Sequence, residues 1–218
     1  MDFQAVLFDM DGVLVASEEH YFVEERAHYA TLGAPLDDDK MHQMMGATPA
    51  SNVKRIRAWY PGLDIPEKMM LSLHEEMLLR GLKRVKSLVP GVERWLRRIR
   101  QDGAKLAVAS SSPVLLLDYA REHFRFDELF DTIVCGMDVE HGKPAPDIFL
   151  EAARRLGADP ARCLVVEDSQ NGVKAGLAAG MKVVAFTGAL MGEPAAGAHW
   201  TIPEFSDAWY EKIMNRGV

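Results

Sequence analysis

Ala5-Val6-Leu7-Phe8-Asp9-Met10-Asp11-Gly12-Val13-Leu14 is the stretch whose reading decides the fold. A short apolar run ends in two aspartates one residue apart and then a glycine. Such a run predicts a buried strand, and Gly12 marks where the chain turns off its end. Two carboxylates at a strand's carboxyl end are held close together, so they repel and call for a cation. Hard oxygen ligands favour Mg2+. A carboxylate beside such an ion can attack phosphorus and form an aspartyl-phosphate while a second acid protonates the leaving oxygen. Alternatively the two residues only begin a surface turn, where aspartate is common, and the later segments decide.

Length and composition narrow the choice. A chain of 218 residues accommodates one large domain or a core domain with a smaller insertion, and 48% hydrophobic with 26% charged residues is an ordinary globular balance. The formal net charge of -7 speaks against nucleic acid or an anionic membrane as partner, because both need a basic face. The basic run from Lys83 to Lys86 is too short to alter that. Cys135 and Cys163 each sit in an apolar run, which predicts buried, reduced thiols and a reducing cytoplasm. The N-terminus lacks the basic, apolar and small-residue pattern of a signal, and no long apolar stretch predicts a membrane span. The expectation is a cytoplasmic protein.

After Leu14 the rhythm becomes helical and stays so to about Leu88. Ser17, Glu18 and Glu19 predict a helix start and Gly33 its stop; Asp37 to Asp39 begin a second helix ending near Gly46. Thr48 and Pro49 predict an N-cap and first helical residue, and Pro61-Gly62 a break. Pro66 opens a fourth helix in which Met70, Leu73 and Met77 fall at core-packing spacing. Residues 16–87 therefore form an all-helical insertion, with 1–15 and 88–218 as the core domain.

From Pro90 helices and strands alternate. Val92, Trp95, Leu96 and Ile99 make an apolar stripe ended by Asp102-Gly103. Strands are expected at Lys105 to Ala109, Thr132 to Cys135, Cys163 to Val166 and Lys182 to Phe186. Between them lie helices opened by Pro113, with Leu116 and Tyr119 inward, by Asp147, closed at Gly157, and by Ser169, continuing to Gly180. Trp200, Trp209 and Tyr210 belong to an edge strand and a closing helix. This alternation predicts a doubly wound, Rossmann-like α/β fold: a parallel sheet with helices on both faces. Ligands of such sheets bind outside the carboxyl ends of the strands. Asp9, Asp11, Ser110 and Asp168 each follow a strand-like run and so converge on one edge.

With these residues in place, the sequence resembles the haloacid dehalogenase superfamily, in the branch with a helical cap that includes β-phosphoglucomutase and phosphoglycolate phosphatase. The motifs are Phe8-Asp9-Met10-Asp11-Gly12-Val13-Leu14, Ala109-Ser110-Ser111-Ser112, Gly142-Lys143-Pro144-Ala145-Pro146-Asp147 and Val166-Glu167-Asp168-Ser169, in the expected order across residues 5–180. The resemblance implies that Asp9 is nucleophile and Mg2+ ligand and that Asp11 is general acid and base, its main-chain carbonyl also on the metal. It implies Asp168 as a further ligand, with Glu167 on the metal or just behind it. Ser110, with Ser111 and nearby amides, would hold the phosphoryl group, and Lys143 would neutralise it. For Ser112 and Ser169 helix capping is the expectation. The implied partner is a small phosphorylated metabolite such as a sugar phosphate, handled by a monomer or weak homodimer.

Departures from that pattern bear on the reaction. The mutase branch carries an arginine where this chain has Pro49, a histidine at Tyr21 (His20 lies beside it), and a lysine-asparagine pair where Pro113-Val114 stands. These favour hydrolysis over sugar phosphomutase chemistry. Dehalogenases lack the second aspartate, here Asp11, and a non-catalytic binding module would not need the whole motif set. Ala16 replaces an aspartate common at the hinge into the cap. Lys54, Arg55, Arg80 and Lys83 are cap cations, read as solvated helix-face charges.

Overall fold

The computed structural model describes residues 2–44, 48–189 and 194–214, and the chain divides into two compact units: Met1–Ala16 with Ser87–Val218, and Ser17–Lys86. The expected helix stop at Gly46 lies outside the described residues. Strand β1 (Ala5–Phe8) opens the first unit. The second unit holds helices α1 (Glu18–Thr31), α2 (Asp38–Met44), α3 (Pro49–Trp59) and α4 (Glu67–Leu82). The first unit resumes with α5 (Val92–Gln101), β2 (Lys105–Ser110), α6 (Val114–His123), α7 (Phe126–Leu129), β3 (Thr132–Cys135) and α8 (Asp147–Leu156). It ends with β4 (Cys163–Glu167), α9 (Gln170–Ala178), β5 (Lys182–Phe186), β6 (Trp200–Ile202) and α10 (Asp207–Met214).

The six strands form one sheet in the order β3-β2-β1-β4-β5-β6, with every pair parallel. Winding runs outward from β1 through β2 to β3, then restarts on the other side of β1 with β4. The switch point of this α/β fold therefore lies beside β1, where Phe8 is level with both Val108 and Val166. All four β1 residues are buried. That is why the strand is a continuous apolar run: both faces of a parallel sheet are covered, so polar alternation has no place. On one face Leu7, Ala109 and Val165 pack against Phe149 and Ala152 of α8 and Val173 of α9. Elsewhere in the unit the predicted α5 stripe is fully buried, and Trp95 meets Phe205 and Tyr210 edge-on at 5.0 and 5.4 Å.

Three details differ from the expectations. The buried side of α6 is Leu116, Leu117 and Ala120; Tyr119 is half-buried on the flank, stacked on His123 at 5.1 Å. The short helix α7 was not anticipated, because four residues are too few to show a period. Both cysteines are free thiols, yet only Cys163 is buried; Cys135 ends the edge strand β3 and is half-exposed. Among the described residues no helix is long and apolar enough to cross a membrane.

Within the helical unit, α1 packs on α4, with Tyr29 of α1 against His74 of α4, and Met70 and Met77 of α4 are buried. Thr48 caps α3 by accepting from Ser51 N, with Pro49 in the first turn as its φ allows. The packed face also contains a buried polar chain: Tyr29 Oη lies 3.0 Å from His74 Nδ1, and His74 Nε2 lies 3.5 Å from Glu25 Oε1. Burial pushes the Glu25 acid up to about 8 and, with repulsion from His28, lowers His74 to about 4. An acid raised on folding contributes stability that is complete below its unfolded pKa of 4.5 and lost as pH climbs through about 8. A histidine lowered on folding acts in the other direction, costing stability as pH falls from 6.5 towards 4. Thermal unfolding measured from about pH 5 to about pH 9 should therefore show Glu25→Gln gaining about 4 kcal/mol, roughly 10 °C, on the wild type. A constant difference between the two proteins across that range would contradict the neutral Glu25.

Candidate active site

Four segments meet at the carboxyl edge of the sheet around β1, the last being the end of β2. The first is the turn after β1. Asp9 N continues the ladder by donating to Val166 O at 3.0 Å. The chain then coils tightly, with Leu14 N and Val15 N both donating to Met10 O and Gly12 N donating to Val15 O. Asp11 is carried on this coil, one residue removed from the strand line. Gly12 has φ +75°, and a Cβ built there would lie 1.9 Å from Asp168 Oδ2. Glycine at this position thus does two things: it permits the left-handed turn, and it lets the carboxylate from β4 close against the β1 turn.

The second segment is the loop before α8. Asp147 at the head of α8 pins it, accepting from His141 N at 3.2 Å and lying 3.1 Å from His141 Nδ1. Lys143 projects from the loop, its bond to Pro144 cis, with its side chain only 6% exposed. Nζ donates to Asp9 Oδ1 at 2.5 Å, to Glu167 Oε1 at 2.7 Å and to Ala109 O at 3.0 Å. All three donor positions of the ammonium are taken by the ends of β1, β2 and β4.

The third segment follows β4. Glu167 is 1% exposed, and its Oε2 accepts from Asp168 N and Ser169 N at 2.8 Å and from Ser169 Oγ at 3.0 Å. Ser169 in turn caps α9 by accepting from Gly172 N at 3.0 Å, the role its position predicts. A Cβ on Gly172 would fall 1.7 Å from Glu167 Oε1, so only glycine allows the carboxylate to lie over the first turn of α9. Both oxygens of Glu167 are thus engaged by protein donors, which makes it the anchor of Lys143.

Ser110 is 1% exposed at the end of β2, and its Oγ accepts from Ser112 N at 3.1 Å. Ser112 is a correction. Its hydroxyl does not cap α6, whose N-cap position is Pro113 without a side-chain bond; it donates instead to Asp11 Oδ2. Nothing in the local pattern separates a serine that caps from one that reaches across to a neighbouring strand. Ser111 is exposed, with Gly136 of the neighbouring turn beside its main chain. Of the cap cations, Arg80 is held by Glu24 at 3.2 Å and Arg55 donates to Asn52 at 3.0 Å, both within the helical unit.

Charge is unevenly balanced at this edge. Burial foremost, against the pull of Lys143 and with the help of Glu167 and Asp11, raises the Asp9 carboxyl to about 8. Burial would lower Lys143, but the charges of Asp9 and Glu167 and its bonds to both hold it above its ordinary value. One ammonium thus faces more carboxylate groups than it can neutralise.

Comparison with known proteins gives concordant results. A family model described as haloacid dehalogenase-like hydrolase matches residues 3–180. The bifunctional riboflavin kinase/FMN phosphatase of Arabidopsis thaliana is 37% identical over 83% of this chain, which spans 47% of that relative's length. A phosphorylated carbohydrates phosphatase of Thermotoga maritima is 33% identical, covering 82% of each chain. A β-phosphoglucomutase of Bacillus subtilis is 30% identical over 96% of this chain and 93% of its own.

Proposed function

Because the chain belongs to the haloacid dehalogenase-like hydrolase family, we propose that it is a Mg2+-dependent phosphatase. It hydrolyses a small phosphomonoester, a sugar phosphate or similar metabolite, through an aspartyl-phosphate on Asp9. The observation that carries this reading is the buried contact of Lys143 Nζ with Asp9 and Glu167, a pre-placed cation beside a carboxylate at the switch point of the sheet. The Thermotoga relative, named for phosphorylated carbohydrates, supports the substrate class. The free thiols Cys135 and Cys163 support a reducing cytoplasm as its setting.

The donor set fits a hard divalent ion. Among the described residues no three His, Cys, Asp or Glu side chains form a group that could hold a metal. The available set is smaller and all oxygen: the carboxylates of Asp9 and Asp168 and the main-chain carbonyl of Asp11, with water and phosphate oxygens to complete it. Burial raises Asp9 most, and the negative charges of Glu167 and Asp11 that add to it are what such an ion would offset. When bound, Mg2+ supplies positive charge to the transferring oxygens and keeps Asp9 ionised.

The chain's own residues then act in two steps. Asp9 forms a bond to phosphorus as the bond to the leaving oxygen breaks, and Asp11 delivers a proton to that oxygen, releasing an alcohol. Next Asp11 takes a proton from water as the water oxygen attacks the same phosphorus, freeing phosphate and restoring Asp9. Lys143 and Ser110, with the amides after β2, hold charge on the transferring oxygens, where positioning and electrostatics dominate.

Mutase chemistry is the second reading, since the Bacillus relative aligns over nearly the whole chain. Hydrolysis is favoured because the start of α6 carries Pro113 and a half-exposed Val114 where a second phosphate would need cationic and amide donors. A panel of hexose phosphates, phosphoglycolate and other small monoesters, assayed with Mg2+ and with EDTA, tests the choice. Phosphate release that EDTA abolishes is expected. Conversion of β-glucose 1-phosphate to glucose 6-phosphate on addition of a bisphosphate primer, without net release, would replace this reading with the mutase.

A further inference from the structure

We propose that Ser112 is a positioning residue for Asp11, fixing which carboxyl oxygen carries the proton. The inference rests on the acid-base role of Asp11 proposed above. Four observations support it. The Ser112 hydroxyl donates to Asp11 Oδ2. Its main chain is held in turn, because Ser110 Oγ accepts from Ser112 N at 3.1 Å and Ser110 is itself buried at the end of β2. The hydroxyl has no capping duty, since α6 starts behind Pro113 without a side-chain bond, and Pro113 O takes both Leu116 N and Leu117 N. Finally, β1 and β2 are neighbours with Phe8 level with Val108, so the turn after β2 is built beside the coil bearing Asp11.

The consequence is geometric. A carboxyl group on a two-bond side chain turns about its own axis, and either oxygen could face the substrate. A hydroxyl that donates to Oδ2 sets the plane of the group and assigns proton transfer to Oδ1. In the first step the proton on Oδ1 passes to the leaving oxygen as its bond to phosphorus breaks, and Oδ2 retains the Ser112 bond while the carboxylate forms. In the second step Oδ1 takes the water proton. Ser110, which places the phosphoryl group, also places the residue that orients the acid, so the two functions share one turn.

Leaving-group dependence tests the inference. An alkyl phosphate such as a hexose 6-phosphate needs a proton on its departing oxygen, whereas p-nitrophenyl phosphate leaves as a stable phenolate and does not. General acid catalysis is worth about 10^2 to 10^4 in rate, so misplacing the acid should cost part of that. In Ser112→Ala, kcat/KM for the alkyl ester should fall about tenfold or more relative to kcat/KM for the aryl ester. Ser112→Thr, which keeps the hydroxyl, should restore most of that ratio. Equal losses on both esters would overturn the inference, because they would mean a lost contact to the shared phosphoryl group or a disturbed fold. An unchanged Ser112→Ala would overturn it as well. Asp11→Asn separates the two levels. If it discriminates between the esters and Ser112→Ala does not, the inference alone fails; if Asp11→Asn does not discriminate, the acid-base reading fails and takes the inference with it.

Discussion

Asp9→Asn should reduce phosphate release by about 10^4-fold or more while leaving the fold in place, since losing a covalent nucleophile removes the whole two-step route. Asparagine has nearly the shape of aspartate, and its amide oxygen can still accept from Lys143 Nζ, which keeps Glu167 and Ala109 O as partners. The substitution also removes one of the carboxylates crowded at this edge, and burial already resists ionisation of Asp9. The melting temperature should therefore stay within about 5 °C of the wild type or rise. Two measurements check this. Acid-quenched mass spectrometry during turnover should find a phosphoryl adduct on the Asp9 peptide of the wild type and none in the variant. Turnover by the variant within tenfold of the wild type, with no adduct in either protein, would remove the covalent mechanism.

Lys143→Ala should damage both activity and stability, which distinguishes it from Asp9→Asn. Removing the ammonium leaves Asp9 and Glu167 facing each other in a buried site with no cation between them. Breaking one partner out of a buried ion pair costs about 3 to 5 kcal/mol, because the remaining charge stays desolvated and unpaired. For a chain of this size that corresponds to a fall in melting temperature of about 10 °C. The rate should fall by about 10^2 to 10^3, the cost of losing one strong electrostatic contact to the transferring group. The cause can be isolated with a second change. Lys143→Ala combined with Glu167→Gln removes one of the two unpaired charges and should recover roughly half of the lost stability without recovering activity. A Lys143→Ala protein as stable as the wild type would show that the ammonium is solvated in solution and that the cluster is not the organising contact.

Much of this was legible in the order of residues. Asp9, Asp11, Ser110 and Asp168 were singled out because each stands at the end of an apolar strand-like run, and in a parallel α/β sheet that position is where ligands bind. The helix ends were legible for similar local reasons: Thr48 with Pro49, Gly157 after Leu156 and Ser169 before α9 each satisfy or stop the first or last turn of a helix. The apolar stripe of α5 was legible because its period of three and four faces one side. Where the reading missed, the signal was non-local. Tyr119 carries an apolar ring, but whether it points inward depends on what α6 packs against. His74 looked like any polar residue on a helix, and only the packing of α1 on α4 joins it to Tyr29 and Glu25.

The sequence by itself determined the strand and helix order, the parallel architecture and the carboxylates and serine placed at strand ends, because local periodicity and backbone capping encode these; Lys143 was singled out only by the resemblance of its loop motif. Only the tertiary structure decided which partner each group takes. Glu167 became the anchor of Lys143 because the turn between β4 and α9 brings donors to one of its oxygens, Lys143 reaches the other, and Gly172 leaves room for the carboxylate. Ser112 became the partner of Asp11 because β1 and β2 lie side by side and the turn after β2 reaches the coil after β1. Hydrogen bonds extend about 3 Å, while Lys143 lies 24 positions from Glu167 and 134 from Asp9, and Ser112 lies 101 from Asp11, so that information exists only once the sheet has formed.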